Sequence, residues 1–220
     1  MKLKRIQTRG EEIANVVSHS AGLLAAIAAF PILVIITARQ GSAANITAAC
    51  IYATTMVLMY LSSTVYHWVP QGRIKQIFRK LDHAAIFLLI AGTYTPFTFS
   101  VLAGAWGWTL FGLVWGLAAT GLILMFSNRL SNPWLSNGIY LLMGWLIVIA
   151  AVPLFNNIST AGAVWLIAGG LAYTGGVVFY ALDGRLRYGH FVWHLFVLTG
   201  TVCHFFAVLY GCIPAQAALA

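Results

Sequence analysis

The sequence predicts an all-α membrane protein, a bundle of seven transmembrane helices with its N-terminus in the cytoplasm and its C-terminus outside. Two observations on composition and one on charge lead there. The 220 residues are 61% hydrophobic and only 7% charged, whereas a soluble domain carries about 25% charged residues. Apolar runs of about 20 residues recur from end to end, each long enough to cross a hydrocarbon core of about 30 Å. The 12 Lys and Arg residues gather in alternate connections between those runs. No stretch is left over for a soluble domain. Residues 1–220 therefore read as one membrane domain, with 1–17 as a cytoplasmic N-terminal segment.

The first span, approximately 18–38, lies between Ser18 and Arg39 and accommodates Pro31. The second, 45–68, runs from Asn45 to Trp68 and stops at Pro70, which cannot continue a helical hydrogen-bond ladder. The third, 82–103, opens at Asp82, a residue type suited to a helix N-terminus, and contains Pro96. Ala103 to Gly107 forms a tight outer turn that sets Trp106 and Trp108 at interface depth. The fourth span, 108–127, ends in the polar cluster Ser127 to Pro133, and the fifth, 135–155, closes at Pro153 to Asn157. The sixth, 162–182, carries the pairs Gly169-Gly170 and Gly175-Gly176, which permit close helix packing, and ends at Asp183-Gly-Arg-Leu-Arg187. The seventh is 190–212. No internal repeat is evident, which argues against an inverted-repeat transporter.

Charge sets the orientation. With the N-terminus inside, the cytoplasmic segments hold Lys2, Lys4, Arg5, Arg9, Arg73, Lys75, Arg79, Lys80, Arg129, Arg185 and Arg187, and of all Lys and Arg only Arg39 falls outside. That is the positive-inside distribution. It also accounts for the formal net charge of +8 without a nucleic-acid partner. The basic start of the chain ends in Glu11-Glu12 and meets no small-residue cleavage site, so the first span is expected to be retained rather than removed as a signal peptide. Cys50, Cys203 and Cys212 lack CxxC spacing and imply neither a zinc ribbon nor a disulfide framework.

Orientation fixes depth. His19, His67, His83, His190 and His194 all fall in the cytoplasmic leaflet together with Asp82, and His204 lies about 15 Å deeper than His194 at 1.5 Å per residue. Ionisable side chains inside a span are costly and mark functional sites by default. His190 and His194, spaced i, i+4, present both imidazoles on one helix face. His67 is the best third ligand at matching depth. Three histidines with an open fourth position suit catalytic zinc. Ser63, one turn before His67, could hydrogen-bond to a ligand or a bound water. Asp82 would act around the metal or hold its water, whose pKa the metal lowers towards 7. Taken singly, each histidine fits a packing or interfacial role as well, Asp82 could simply cap its helix, and Asp183 reads as a solvated loop charge. The convergence of three segments at one depth favours the metal.

At these residues the chain resembles the hemolysin III family, within the progestin and adipoQ receptor superfamily that includes the adiponectin receptors. Glu12-x-x-Asn15-x-x-x-His19 matches one motif, Ser63-x-x-x-His67 followed by Asp82 a second, and His190-x-x-x-His194 a third. The stretch from Leu81 to Pro96 also reads like the bacterial members. The resemblance implies Zn2+ held by His67, His190 and His194, Asp82 reaching it through a water, and Ser63 in support. Glu12, Asn15 and His19 share one helix face, where a hydrogen-bonded brace beneath the site is plausible.

The leading expectation is a zinc-dependent hydrolase of a membrane lipid, acting on an amide or ester in the cytoplasmic leaflet of the bacterial plasma (inner) membrane, as the ceramidase-like relatives imply. A pore-forming or cytolytic protein, or a channel, is the competing reading, although polar groups crowd into one leaflet instead of lining both. A sensor of lipid or membrane state with a structural zinc is the third. Membrane lipids are the expected partners, with neither nucleic acid nor a protein partner indicated.

Overall fold

The computed structural model describes residues 5, 7–39, 42–130 and 132–213, so Lys2 and Lys4 of the charge argument lie outside it. Among the described residues the chain is all-helical: α1 (Arg9–Ala38), α2 (Ala43–Trp68), α3 (Arg73–Phe99), α4 (Ala105–Phe126), α5 (Pro133–Trp145), a 3-10 turn (Leu146–Ala150), α6 (Ala151–Asn157), α7 (Thr160–Leu182) and α8 (Gly189–Gly211). α5, the 3-10 turn and α6 follow one another as a single broken rod. Counting that rod once, six elements are long and apolar enough to cross a membrane, α3 being the exception. Arg73 to Lys80 give α3 a basic first half, and its later turns are rich in threonine. Leu24, Ile123, Val152, Val164 and Leu171 are all exposed. Apolar side chains turned outward on most of the rods are what a lipid-facing surface requires.

Local sequence explains the ends. Thr8 and Glu11 form a capping box at the start of α1: Glu11 N–H donates to the Thr8 hydroxyl and Thr8 N–H donates to the Glu11 carboxylate. Ser42 and Ser159 accept from Asn45 N–H and Gly162 N–H at the starts of α2 and α7. The third helix begins at Arg73 rather than at Asp82, so Asp82 sits well inside it and does not cap it. The same helix stops at Phe99, short of the expected 103. α1 likewise starts ahead of the expected Ser18. At their starts both α1 and α3 thus project past their apolar stretches on the basic side, where long cationic side chains reach water or headgroups.

The helices pack in chain order from α1 to α4, α7 lies along α8, and α8 returns to α1. α7 and α8 meet along the glycine stripe Gly162, Gly169 and Gly176. A Cβ at Gly169 would run into the His204 ring, and one at Gly176 into Trp193 and Phe196. The heptad spacing of these glycines lets the two backbones approach over three successive contacts. The broken rod is held differently. The buried Tyr94 hydroxyl of α3 lies 2.8 Å from the carbonyls of both Met143 and Gly144, and it accepts from Ile147 N–H at 2.9 Å. Those are the backbone groups that the change from α to 3-10 leaves without helical partners.

Candidate metal centre

His67 arrives on the last turn of α2, and His190 and His194 on the first turns of α8. The three offer ligand atoms that all lie within 4.8 Å of one another. Their ring centroids are 5.1 Å apart for His67–His190, 5.0 Å for His67–His194 and 4.7 Å for His190–His194. Among the described residues this is the one such group of three.

Each ring has an oxygen beside its Nδ1. His67 Nδ1 is 2.7 Å from Glu12 Oε2 on α1, so the proton sits on Nδ1 and the lone pair on Nε2. Glu12 is itself fixed by Lys75, whose Nζ is 2.9 Å from Oε1. Ser18 donates to the Asn15 carbonyl at 2.9 Å, which leaves its oxygen to accept from His194 Nδ1 at 3.2 Å. His190 Nδ1 stands 3.4 Å from Asp183 Oδ2, an ion-pair distance without a hydrogen bond. Asp183 is therefore buried beside a candidate ligand and is no solvated loop charge. The oxygen partners of His67 and His194 are of the kind that orients ligand imidazoles and makes them basic.

The remaining atoms test whether a metal fits. His67 Nε2 and Ser63 Oγ are buried with no hydrogen-bond partner among the described residues. Leaving such a group unsatisfied costs about 1–3 kcal/mol. A cation between the three rings would take up the His67 lone pair. The donor set, all imidazole, suits a borderline-soft divalent ion.

His19 stacks on His194 with ring centroids 3.5 Å apart and planes 13° from parallel. It makes no hydrogen bond through either nitrogen, so it supports the site by ring contact and not as a hydrogen-bonded brace. Asn15 lies against His67, its Nδ2 3.4 Å from Nδ1 and donating to Gln7 at 2.9 Å. Asp82, Ser63, His19, His190 and His194 line one cavity of about 280 Å3, which runs on between apolar walls to His204. His83 Nδ1 donates to the Arg79 carbonyl at 2.8 Å and lies 3.5 Å from Asp82 Oδ2. His204 reaches the Leu166 carbonyl of α7 through Nε2 at 3.3 Å and is not part of the three-histidine group.

Glu11 is a positioning residue that motif reasoning passes over. Its carboxylate accepts from Arg5 and, at 2.8 Å, from the backbone N–H of Tyr188. Tyr188 precedes α8 with a φ of 60°, a left-handed conformation that costs a residue with a Cβ about 1–2 kcal/mol. Glu11 thereby holds the turn from which His190 projects. Hydrogen bonding to Glu11 also pushes the Arg5 guanidinium still higher than its ordinary value. The signal for Glu11 was present in the capping spacing Thr8-x-x-Glu11. Ser18 and Asp183 had no comparable signal.

A family model described as Haemolysin-III related matches residues 7–205. The chain is 41% identical to Hemolysin-3 of Bacillus cereus over 206 residues, 93% of each protein. It is 42% identical over 203 residues to the Hemolysin-3 homolog of Bacillus subtilis (strain 168), covering 92% of this chain and 95% of that one. It is also 30% identical over 169 residues to the human Monocyte to macrophage differentiation factor, spanning 73% and 68% of the two chains.

Proposed function

This chain belongs to the haemolysin-III related family, and from that premise we propose that it is a zinc-dependent hydrolase of a membrane lipid. It is a multi-pass protein of the bacterial plasma (inner) membrane. In this reading seven rods span the bilayer as one domain, with α3 among them. The N-terminus and the three-histidine end face the cytoplasm, because the basic residues gather there.

The observation that supports the reading is the three-imidazole group, two of whose members, His190 and His194, line an apolar cavity. His67, His190 and His194 would hold the ion, with Glu12 and Ser18 setting the rings of His67 and His194 and Asp183 charged beside that of His190. When bound, zinc polarises a carbonyl and lowers the pKa of a water ligand towards 7, supplying a nucleophile at neutral pH. The residues around it do the rest. The apolar walls place an acyl chain and keep bulk water from the scissile carbonyl. Asp82 orients the attacking water and takes its proton as the new C–O bond forms. The same carboxyl returns that proton to the departing amine or alcohol as the old bond breaks. Ser63 Oγ, buried and unpartnered at the same wall, is placed to hydrogen-bond that water or the carbonyl oxygen.

The test is mass spectrometry of a membrane-lipid extract incubated with the purified protein. A product is expected that disappears with a chelator and in His190→Ala and Asp82→Ala. A product that survives all three treatments would overturn the reading. The names of the Bacillus relatives favour a second reading, cytolysis. Dye release from liposomes that is indifferent to the chelator would support it in place of the first.

A further inference from the structure

The apolar cavity lined by His190 and His194 has a polar neighbour that it meets at His190. This second cavity, about 450 Å3, is lined by Arg5, Lys75, Arg79 and Lys80, with Glu12 and Asp183 as its acids. His83, Tyr180 and His190 line both cavities. A greasy compartment and a cationic one thus meet at one candidate metal ligand, His190.

Positive-inside bias alone would bring cations to this end of the bundle. What that bias does not account for is that four of them line one cavity. The chain has only 4 Asp and Glu residues, and each is already committed: Glu11 to Arg5, Glu12 to His67 and Lys75, Asp82 beside His83, Asp183 beside His190. Arg79 has no side-chain partner among the described residues, and Lys80 has only the neutral Asn128 amide, at 2.6 Å. Two cations remain at the rim with no protein anion to meet them. An arginine fork and a lysine point charge are a phosphate-binding pair.

We propose that the lipid taken by this site carries an anionic phosphate headgroup, bound by Arg79 and Lys80, while its acyl chain fills the apolar cavity. The bond between headgroup and chain then lies at the three histidines. The substrate assignment rests on the hydrolase reading above, whereas the headgroup preference is a binding property and stands apart from it.

The test measures binding first. Purified protein in detergent is titrated with lysophosphatidylglycerol and with a monoacylglycerol of the same chain length, and bound lipid is counted by native mass spectrometry. The phosphate lipid is expected to bind about tenfold tighter, the worth of one charge-assisted hydrogen bond. In the double variant Arg79→Ala/Lys80→Ala that preference should fall to about unity with monoacylglycerol binding unchanged, which also shows that the variant is folded. Equal binding of the two lipids by the unaltered protein overturns the proposal, as does a preference that survives the double variant. Incubating the same lipids and following their cleavage separates the two readings. Preference without chelator-sensitive cleavage retains the headgroup site and removes the hydrolase. Cleavage without preference does the reverse.

Discussion

Glu12 makes the sharpest residue-scale case, because it joins three helices through one carboxylate: its own α1, His67 on α2 and Lys75 on α3. Removing a carboxylate that orients a ligand imidazole typically costs about 10- to 100-fold in metal affinity. Glu12→Ala is therefore expected to weaken zinc binding by that factor, measured by competition with a chromophoric chelator. Ser18→Ala, which removes a neutral acceptor from His194, should weaken it by no more than about tenfold. Equal affinities in both variants and the parent would refute the arrangement. The histidine pair of α8 could be read from spacing, and His67 from its depth. Ser18 and Asp183 could not, since a serine beside a histidine and an acid beside two arginines look the same whether or not a distant helix brings an imidazole to them. Glu11 was within reach through its capping box, but its bond to the Tyr188 backbone joins residues 177 apart in the chain.

Among the elements, the broken rod is where sequence and structure part. The stretch Trp145-Leu-Ile-Val-Ile-Ala-Ala151 is evenly apolar, so nothing in it marks the change from α to 3-10 at Leu146. The cause lies on α3, in the Tyr94 hydroxyl that serves the carbonyls of Met143 and Gly144 and the N–H of Ile147. Tyr94→Phe leaves those backbone groups unsatisfied and is expected to destabilise the rod by about 1–3 kcal/mol. Hydrogen exchange should rise at 143–150 while α7 and α8, joined by their glycine stripe, keep their protection. Unchanged exchange at 143–150 would show that the break does not depend on Tyr94. The helical periods themselves were legible from length and apolar content. The basic extension of α3 was not, because a run such as Arg73 to Lys80 reads as a loop until its helix is seen to continue.

At the scale of the whole molecule, orientation is the proposal most exposed to test. In a background with Cys50, Cys203 and Cys212 replaced by alanine, Arg39→Cys and Arg129→Cys mark opposite ends of the bundle, and both positions are exposed. A membrane-impermeant thiol reagent applied to intact cells should label Arg39→Cys and spare Arg129→Cys. The reverse pattern would invert the molecule and set the three-histidine end outside. One consequence of the α1–α8 closure concerns synthesis. His67 leaves the ribosome early, and its companions emerge only with the last helix. Until Tyr188 reaches Glu11 and α8 settles between α1 and α7, the nascent protein holds His67 alone of the three candidate ligands, with His19 as the other imidazole of the cluster. A chain stopped before residue 190 holds one of the three candidate ligands, so assembly of the group waits for α8.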